Sequence, residues 1–260
     1  MTPDDPAQTP EPRSGNEDAA ATAILLAAGR SERMAVRAAE GAEPVRKPFL
    51  EIEGRSVLEH TCDAFRRARR VRDIVLVVHA SDVARVRALA GSSPALAKVV
   101  HVVIGGEQRT DSVRAGVSAA PEDSELLAVH DVARLLVRPE LIDTAIGVAA
   151  ARGACVVAAP VTDTIKTSVD GRSSESTLDR AVLWSAQTPQ VFETKLLARL
   201  LTEAERESFS PTDDAALHER YVGPVPLVEG DRHNLKLTTP EDLVVCAALL
   251  RARQEERFSS

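Results

Sequence analysis

The sequence predicts an α/β fold with a mostly parallel sheet and helices on both faces. From residue 22 onward, short apolar runs alternate with amphipathic segments. Several of those runs are apolar at consecutive positions, as strands covered on both sides must be. With 260 residues, 44% of them hydrophobic, the chain can also bury one sizeable core.

Taken in order, TAILLA at 22–27 reads as the first strand and VLEHTCDAFRRA at 57–68 as the first helix. DIVLVVHA at 73–80, SDVARVRALA at 81–90, KVVHVVIGG at 98–106 and RTDSVRAGVSAA at 109–120 continue as strand, helix, strand, helix. ELLAVHD at 125–131 is a strand, RPELIDTAIGVAAA at 138–151 a helix, and ACVVAAP at 154–160 a strand buried on both faces. Residues 161–187 then alternate polar and apolar groups around a turn-like DGRSSES, which predicts an extended hairpin protruding as a β-arm. The end returns to helix at TKLLARLLTEA and to strands at PVPLVEG and NLKLT. A last helix starts at Pro240 with Thr239 as its cap. Residues 21–256 are thus expected to form one domain, with 161–187 as its arm.

Residues 1–20 are rich in Pro, Asp, Glu, Ser and Gly, too poor in apolar surface to offset ordering entropy, and predict a disordered tail. A formal net charge of -7 argues against nucleic acid as a partner, because phosphate counterions are displaced by a cationic surface. Small phosphorylated ligands stay open, since a few aimed cations suffice. The three cysteines form no CxxC pair and read as reduced core residues; the six histidines lack metal-ligand spacing. No apolar run reaches the roughly 20 residues of a membrane helix, and a cytoplasmic protein is expected.

Four stretches carry candidate chemistry. LLAAGRSERM at 25–34 ends a buried strand in Ala27, Ala28 and Gly29, small residues that let backbone N–H groups approach a phosphate, and follows them with cations. Arg33 and Lys47 flank a loop and can close on a triphosphate from two sides. GGEQRTDSVRAG at 105–116 is a glycine turn opening a helix whose first turn carries Arg109 and Ser112, so that backbone groups and a hydroxyl could read a base edge; a loop with Thr110 or Asp111 capping the helix is the plainer reading. AVHDVARLL at 128–136 delivers Asp131 and Arg134 at the carboxyl end of a strand, where open α/β sheets bind ligands; a turn-capping aspartate is the plainer reading. Lys236 stands in the NLKLT segment, where an exposed edge lysine would be ordinary.

Together these stretches resemble the 2-C-methyl-D-erythritol 4-phosphate cytidylyltransferase family. AAGRSERM and RKPFL approximate its Ala-Ala-Gly-x-Gly-x-Arg-Met and Pro-Lys-Gln segments, with Ser31 for the second glycine and Pro48 after the lysine. Its Gly-Gly-x-x-Arg-x-x-Ser, His-Asp-Ala-Ala-Arg-Pro and Glu-Gly-x-x-x-Asn-x-Lys-x-Thr-x-Pro-Glu-Asp elements match here in the same order, with Val132 and Leu135 as departures. The resemblance implies a Rossmann-like, GT-A-like nucleotidyltransferase domain that joins CMP from CTP to a polyol phosphate in isoprenoid biosynthesis. It implies that Arg33, Lys47, Arg180 and Lys236 are catalytic and that Ala27, Ala28, Gly29, Gly106, Arg109 and Ser112 hold CTP. Asp131, Arg134, Thr164, Thr188 and Thr212 would hold the acceptor, and Mg2+ would arrive on the CTP phosphates. A homodimer through the β-arm would lend Arg180 to the neighbouring site. Ribitol or ribulose 5-phosphate cytidylyltransferases share the first two motifs, and a nucleotide-binding module without turnover is the reading from another class.

Overall fold

The computed structural model describes residues 19–29 and 45–258, so the expected tail through residue 18, Arg33 and most of the loop that follows it lie outside the described residues. The first strand, β1 (Ala21–Ala27), is followed by a two-residue ribbon of β2 (Glu51–Ile52) and β3 (Arg55–Ser56), then α1 (Val57–Arg67), β4 (Val71–Val78), α2 (Val83–Ala90), β5 (Val99–Ile104) and α3 (Arg109–Ser118). The chain continues through β6 (Leu126–Asp131), α4 (Pro139–Arg152), β7 (Ala154–Pro160), the small ribbon β8 (Lys166–Thr167) with β9 (Ser176–Thr177), and β10 (Trp184–Glu193). It ends with α5 (Thr194–Arg206), α6 (Ala215–Tyr221), β11 (Leu227–Glu229) and α7 (Pro240–Phe258).

Seven strands form one sheet in the order β11-β7-β10-β6-β1-β4-β5. Every neighbouring pair is parallel except those of β10, which runs antiparallel to both β6 and β7. The period-2 geometry of a strand splits the core into two layers. In β1, Ala21, Ala23 and Leu25 face one layer, built with Val57, Leu58, Cys62 and Phe65 of α1, Ile142 and Ile146 of α4, and Cys246 of α7. Ile24 faces the other, built with Val113 of α3, Leu197, Leu200 and Leu201 of α5, and Leu217 of α6. Helices therefore cover both faces, as expected. All three cysteines are free and buried, and burial pushes the Cys155 thiol up to about 12.

Local signals start and stop the helices. Ser56 caps α1: its hydroxyl accepts the Glu59 N–H at 3.2 Å while Glu59 accepts the Ser56 N–H at 3.1 Å. α4 opens with Pro139 and closes at Gly153, whose φ of 85° is open to glycine at little cost. At α7 the Asp242 carboxylate accepts the N–H groups of Thr238 and Thr239 at 2.6 and 2.8 Å, so Asp242 closes the cap that Thr239 announces. Among the described residues no helix is long and apolar enough to cross a membrane.

Gly116 fixes how closely α3 lies on the sheet. A methyl there would overlap Ile24 Cγ2 and sit 3.1 Å from Val77 Cγ2. Gly116→Ala is therefore expected to cost about 1–3 kcal/mol through overpacking, read as a lowered midpoint in urea denaturation with the slope unchanged.

The structure corrects two expectations. Residues 234–238 form no strand. They run across the ends of the sheet strands instead of beside one, and their polar groups are used singly: Leu237 N–H donates to Ala133 O at 2.8 Å, and Asn234 O accepts from Arg134 at 2.8 Å. The arm is also shorter than 161–187, because β10 begins at Trp184 and pairs at once with Pro160 of β7. From there β10 enters the core, where Val191 and Phe192 are fully buried. Alternation along the arm extends without a break into this strand, which hides the boundary.

Candidate active site

The carboxyl ends of four parallel strands converge on one cavity of about 490 Å³. β1 contributes Ala27, Ala28 and Gly29; β4 leads to His79 and Ala80; β5 leads to Gly105 and Gly106; β6 ends in Asp131. Lys47 and Pro48 close one side and Lys236 another. Because β1 has β4 on one flank and β6 on the other, the cavity lies where the chain order reverses, the crevice in which open α/β sheets bind ligands.

Small residues make one half of this space. A side chain on Gly105 would overlap Ala28 Cβ and come 2.7 Å from Ser112 Oγ, so the loops after β1 and β5 meet over the end of β4 only because residue 105 lacks a Cβ. On Gly106 it would overlap Asp111, whose carboxylate accepts the Gln108 N–H at 3.2 Å and closes the first turn of α3. On Gly29 it would meet no described atom within 4 Å.

The other half is built around Asp131. Lys236 Nζ lies 2.6 Å from Asp131 Oδ2, and Arg109 Nε lies 3.4 Å from Oδ1. Arg109 reaches further, donating from Nη2 to Asp214 Oδ2 at 2.8 Å. Burial acts to raise the Asp131 pKa, but the charges of Arg109 and Lys236 outweigh it and hold the carboxyl down at about 2. Asp214 is 1% exposed, and burial pushes its carboxyl up, with Arg109 pulling the other way. Asp131 is thus an ionised anchor that holds two cations at the cavity wall.

Behind Asp131 a buried network sets its position. The Thr188 hydroxyl accepts the Asp131 N–H at 3.2 Å and lies 2.9 Å from His130 Nδ1, while His130 Nε2 lies 3.3 Å from Arg134 O. Burial drives the His130 pKa down to about 3, so the ring is neutral: Nε2–H donates to Arg134 O and Nδ1 accepts from Thr188. Arg134 spans the 234–238 segment and β10 by donating to Asn234 O at 2.8 Å and Ala186 O at 3.1 Å. Gln190 of β10 accepts the N–H groups of Asp214 and Ala215, both at 2.9 Å, and fixes the Asp214 carboxylate against Arg109.

Asp131 also predicts acid sensitivity. Its folded pKa lies below the ordinary 3.8, so its stabilisation is present above pH 4 and lost as pH falls towards 2. A shift of that size corresponds to about 2 kcal/mol. Asp131→Asn should flatten the fall in stability between pH 4 and pH 2, measured by denaturation at stepped pH.

Comparison with known proteins decides what the cavity belongs to. Residues 21–252 match the family model described as 2-C-methyl-D-erythritol 4-phosphate cytidylyltransferase. The chain belongs to that family. Cytidylyltransferases of that name from Caldanaerobacter subterraneus and Alkaliphilus oremlandii are 39% and 35% identical, over 88% and 90% of this chain and 98% and 96% of theirs. The crystal structure of 4-diphosphocytidyl-2C-methyl-D-erythritol synthase from Anaerococcus prevotii superposes with a TM-score of 0.77 at 28% identity, covering 90% of this chain and 97% of that one. The Thermus thermophilus cytidylyltransferase gives 0.71 at 31% identity, covering 89% of this chain and 99% of that one. The chain is thus a nucleotidyltransferase of the cytidylyltransferase type.

Of the residues singled out in the sequence, Ala27, Ala28, Gly29, Lys47, Gly106, Arg109, Ser112, Asp131 and Lys236 line the cavity together. Arg134 and the buried Thr188 stand behind it, in the network that carries Asp131. Thr164 and Arg180 lie on the arm, where Arg180 donates to Thr162 O at 3.0 Å. Thr212 is exposed and outside the wall; the neighbouring Asp214 makes the contact to the cavity, through Arg109. Sequence reading missed Gly105, His79, Gln190 and Asp214. The paired glycines of the GG turn signal Gly105, and the acidic pair in PTDDA signals Asp214, but nothing in the sequence marks Gln190 or His79.

Proposed function

We propose that this chain transfers CMP from CTP to 2-C-methyl-D-erythritol 4-phosphate in isoprenoid biosynthesis, forming 4-diphosphocytidyl-2-C-methyl-D-erythritol and pyrophosphate. The observation that carries this reading is the shared wall of the cavity: glycine-rich strand ends on one side, and Lys47, Arg109 and Lys236 arranged around one ionised aspartate on the other. A phosphate oxygen of the acceptor attacks the α-phosphorus of CTP, one P–O bond forms, the bond to the β-phosphate breaks, and pyrophosphate leaves with that electron pair. The acceptor phosphate is already ionised near neutral pH, so the step requires no general base. Ala28, Gly29, Gly106 and Ser112 seat the nucleoside; Lys47, joined by Arg33 in our reading, faces the triphosphate; Lys236 faces the incoming phosphate. Positioning and fixed cations supply the catalysis.

Among the described residues no group of three or more His, Cys, Asp or Glu side chains can hold a metal ion. The wall carries the carboxylates of Asp131 and Glu107, and Asp131 is engaged by two cations. That donor set suits Mg2+ carried in on the nucleotide phosphates better than a resident ion, with Asp131 as the wall carboxylate to meet it. When bound, Mg2+ would neutralise phosphate charge.

The arm exposes Leu178 and Val182, and the first residue of β10 exposes Trp184, apolar groups that fit a second copy of this chain, and a homodimer there would bring Arg180 and Thr164 of the partner towards the acceptor. Val182→Asp combined with Trp184→Ala should then give a monomer mass in light scattering and a raised KM for the acceptor. The buried cysteines and the negative net charge support a cytoplasmic enzyme acting on small phosphates rather than nucleic acid.

The test is pyrophosphate release with CTP, Mg2+ and 2-C-methyl-D-erythritol 4-phosphate, beside ribitol 5-phosphate as acceptor and ATP and GTP as donors. Turnover with CTP and the methylerythritol substrate alone supports the reading. Preference for ribitol 5-phosphate would move the enzyme to another pathway, and silence throughout would leave a nucleotide-binding module.

A further inference from the structure

Lys47 sits on a short 3-10 turn, Lys47–Phe49, that packs between two parts of the fold. On one side Lys47 Nζ donates to Leu237 O at 2.8 Å. On the other the turn docks on the start of α2: the Arg85 guanidinium lies 3.9 Å from the centre of the buried Phe49 ring, and Arg46 Nε lies 2.8 Å from Asp82 Oδ2. Asp82 is 7% exposed and ends the turn that carries His79 and Ala80 into the cavity wall. Arg46 also donates from Nη2 to Gly29 O at 3.1 Å. One guanidinium, on the residue before Lys47, therefore donates to Gly29 just after β1 and pairs by charge with Asp82 in the turn after β4.

A lysine does not reproduce this arrangement, because its ammonium is a single point, whereas the planar guanidinium donates to the Gly29 carbonyl from Nη2 while its Nε end faces the Asp82 carboxylate as an ion pair. Arg46 is not among the residues that line the cavity.

We propose that Arg46, held by Asp82, is a positioning residue for nucleotide binding: it sets the Gly29 carbonyl and the Lys47 ammonium relative to each other. The proposal rests on the CTP reading of the cavity. A misplacement of about 1 Å in such a site is worth up to about 100-fold, and the expected loss here is about 10- to 100-fold in kcat/KM for CTP.

The experiment compares Arg46→Ala, Asp82→Ala, the double variant and Arg46→Lys in the full-length protein, reading CTP affinity by calorimetry with Mg2+ alongside kcat and KM for both substrates. Expected is weaker CTP binding in Arg46→Ala and in Asp82→Ala, a double variant no worse than either single one, unchanged acceptor KM, and partial rescue in Arg46→Lys. Unaltered CTP affinity in Arg46→Ala overturns the proposal, as do fully additive losses in the double variant or full rescue by lysine. If Arg46→Ala does not fold, Arg46→Lys decides: wild-type CTP affinity there overturns the tie, and a measurable loss in a folded protein supports it. Wild-type protein that binds CTP but releases no pyrophosphate would refute the enzymatic reading while leaving this test intact through the calorimetric arm.

Discussion

Replacing Lys236 with alanine is expected to lower kcat/KM by about 100- to 1,000-fold, the range found when a preorganised group aimed at developing charge is removed. The Lys236 ammonium is held 2.6 Å from Asp131, and its side chain is 45% exposed, open to the cavity. Its removal strands no buried charge, because Asp131 keeps Arg109. Stability should therefore change by only about 1 kcal/mol, because the Lys236 end of the pair is solvent-exposed and Asp131 keeps a cation. Steady-state pyrophosphate release gives the kinetic loss and thermal denaturation the stability. A loss of only a few-fold would place Lys236 outside the reaction, and a large drop in melting temperature would make its role structural.

Arg109→Met should do the reverse, with a large effect on the fold as well as on activity. Arg109 is the cation that pairs with Asp214, 1% exposed, and it also faces Asp131. Removing it leaves a buried carboxylate with no cation, at about 3–5 kcal/mol. The sign of the pH response follows. Burial already acts to raise the Asp214 pKa, and without Arg109 nothing of comparable size opposes it. A folded pKa above the unfolded value favours the protonated fold, so the variant gains stability relative to wild type as pH falls and loses it as pH rises through that pKa. Urea denaturation at pH 5.5 and pH 8 should show a smaller deficit at the lower pH. An equal deficit at both would mean that Asp214 remains ionised by other means.

The two variants separate the roles that the cation pair plays around Asp131. Lys236 faces the cavity, and its loss is expected to leave folding nearly unchanged. Arg109 joins α3, β6 and the approach to α6, so its charge is part of the core as well as of the site. The buried His130–Thr188 pair belongs with Arg109: it orients the Asp131 backbone from behind.

Much of this was legible in the amino-acid order because it depends on local periodicity and on side-chain size. Runs such as ILLA and IVLVV are apolar on both faces only if helices cover both faces, and the runs of β1, β5 and β6 lead into the small or acidic residues that the cavity uses: Ala28, Gly105 and Asp131. Glycines in the GG turn and the capping signals at Ser56 and Pro139 act within a few residues of themselves, so their reading survives without knowledge of the rest of the chain. Tertiary structure alone decided what depends on residues far apart. β10 reads as arm because its alternation is continuous with the hairpin, and only its pairing between β6 and β7 makes it a core strand. The 234–238 segment looks like a strand, yet the sheet ends elsewhere, and its backbone serves Arg134, Lys47 and Ala133 one group at a time. Asp131 with Lys236, Arg109 with Asp214 and Arg46 with Gly29 are pairs made by chain reversal, and the carboxylate pKa values that govern the site arise from those pairings and from burial, neither of which exists until the sheet has formed.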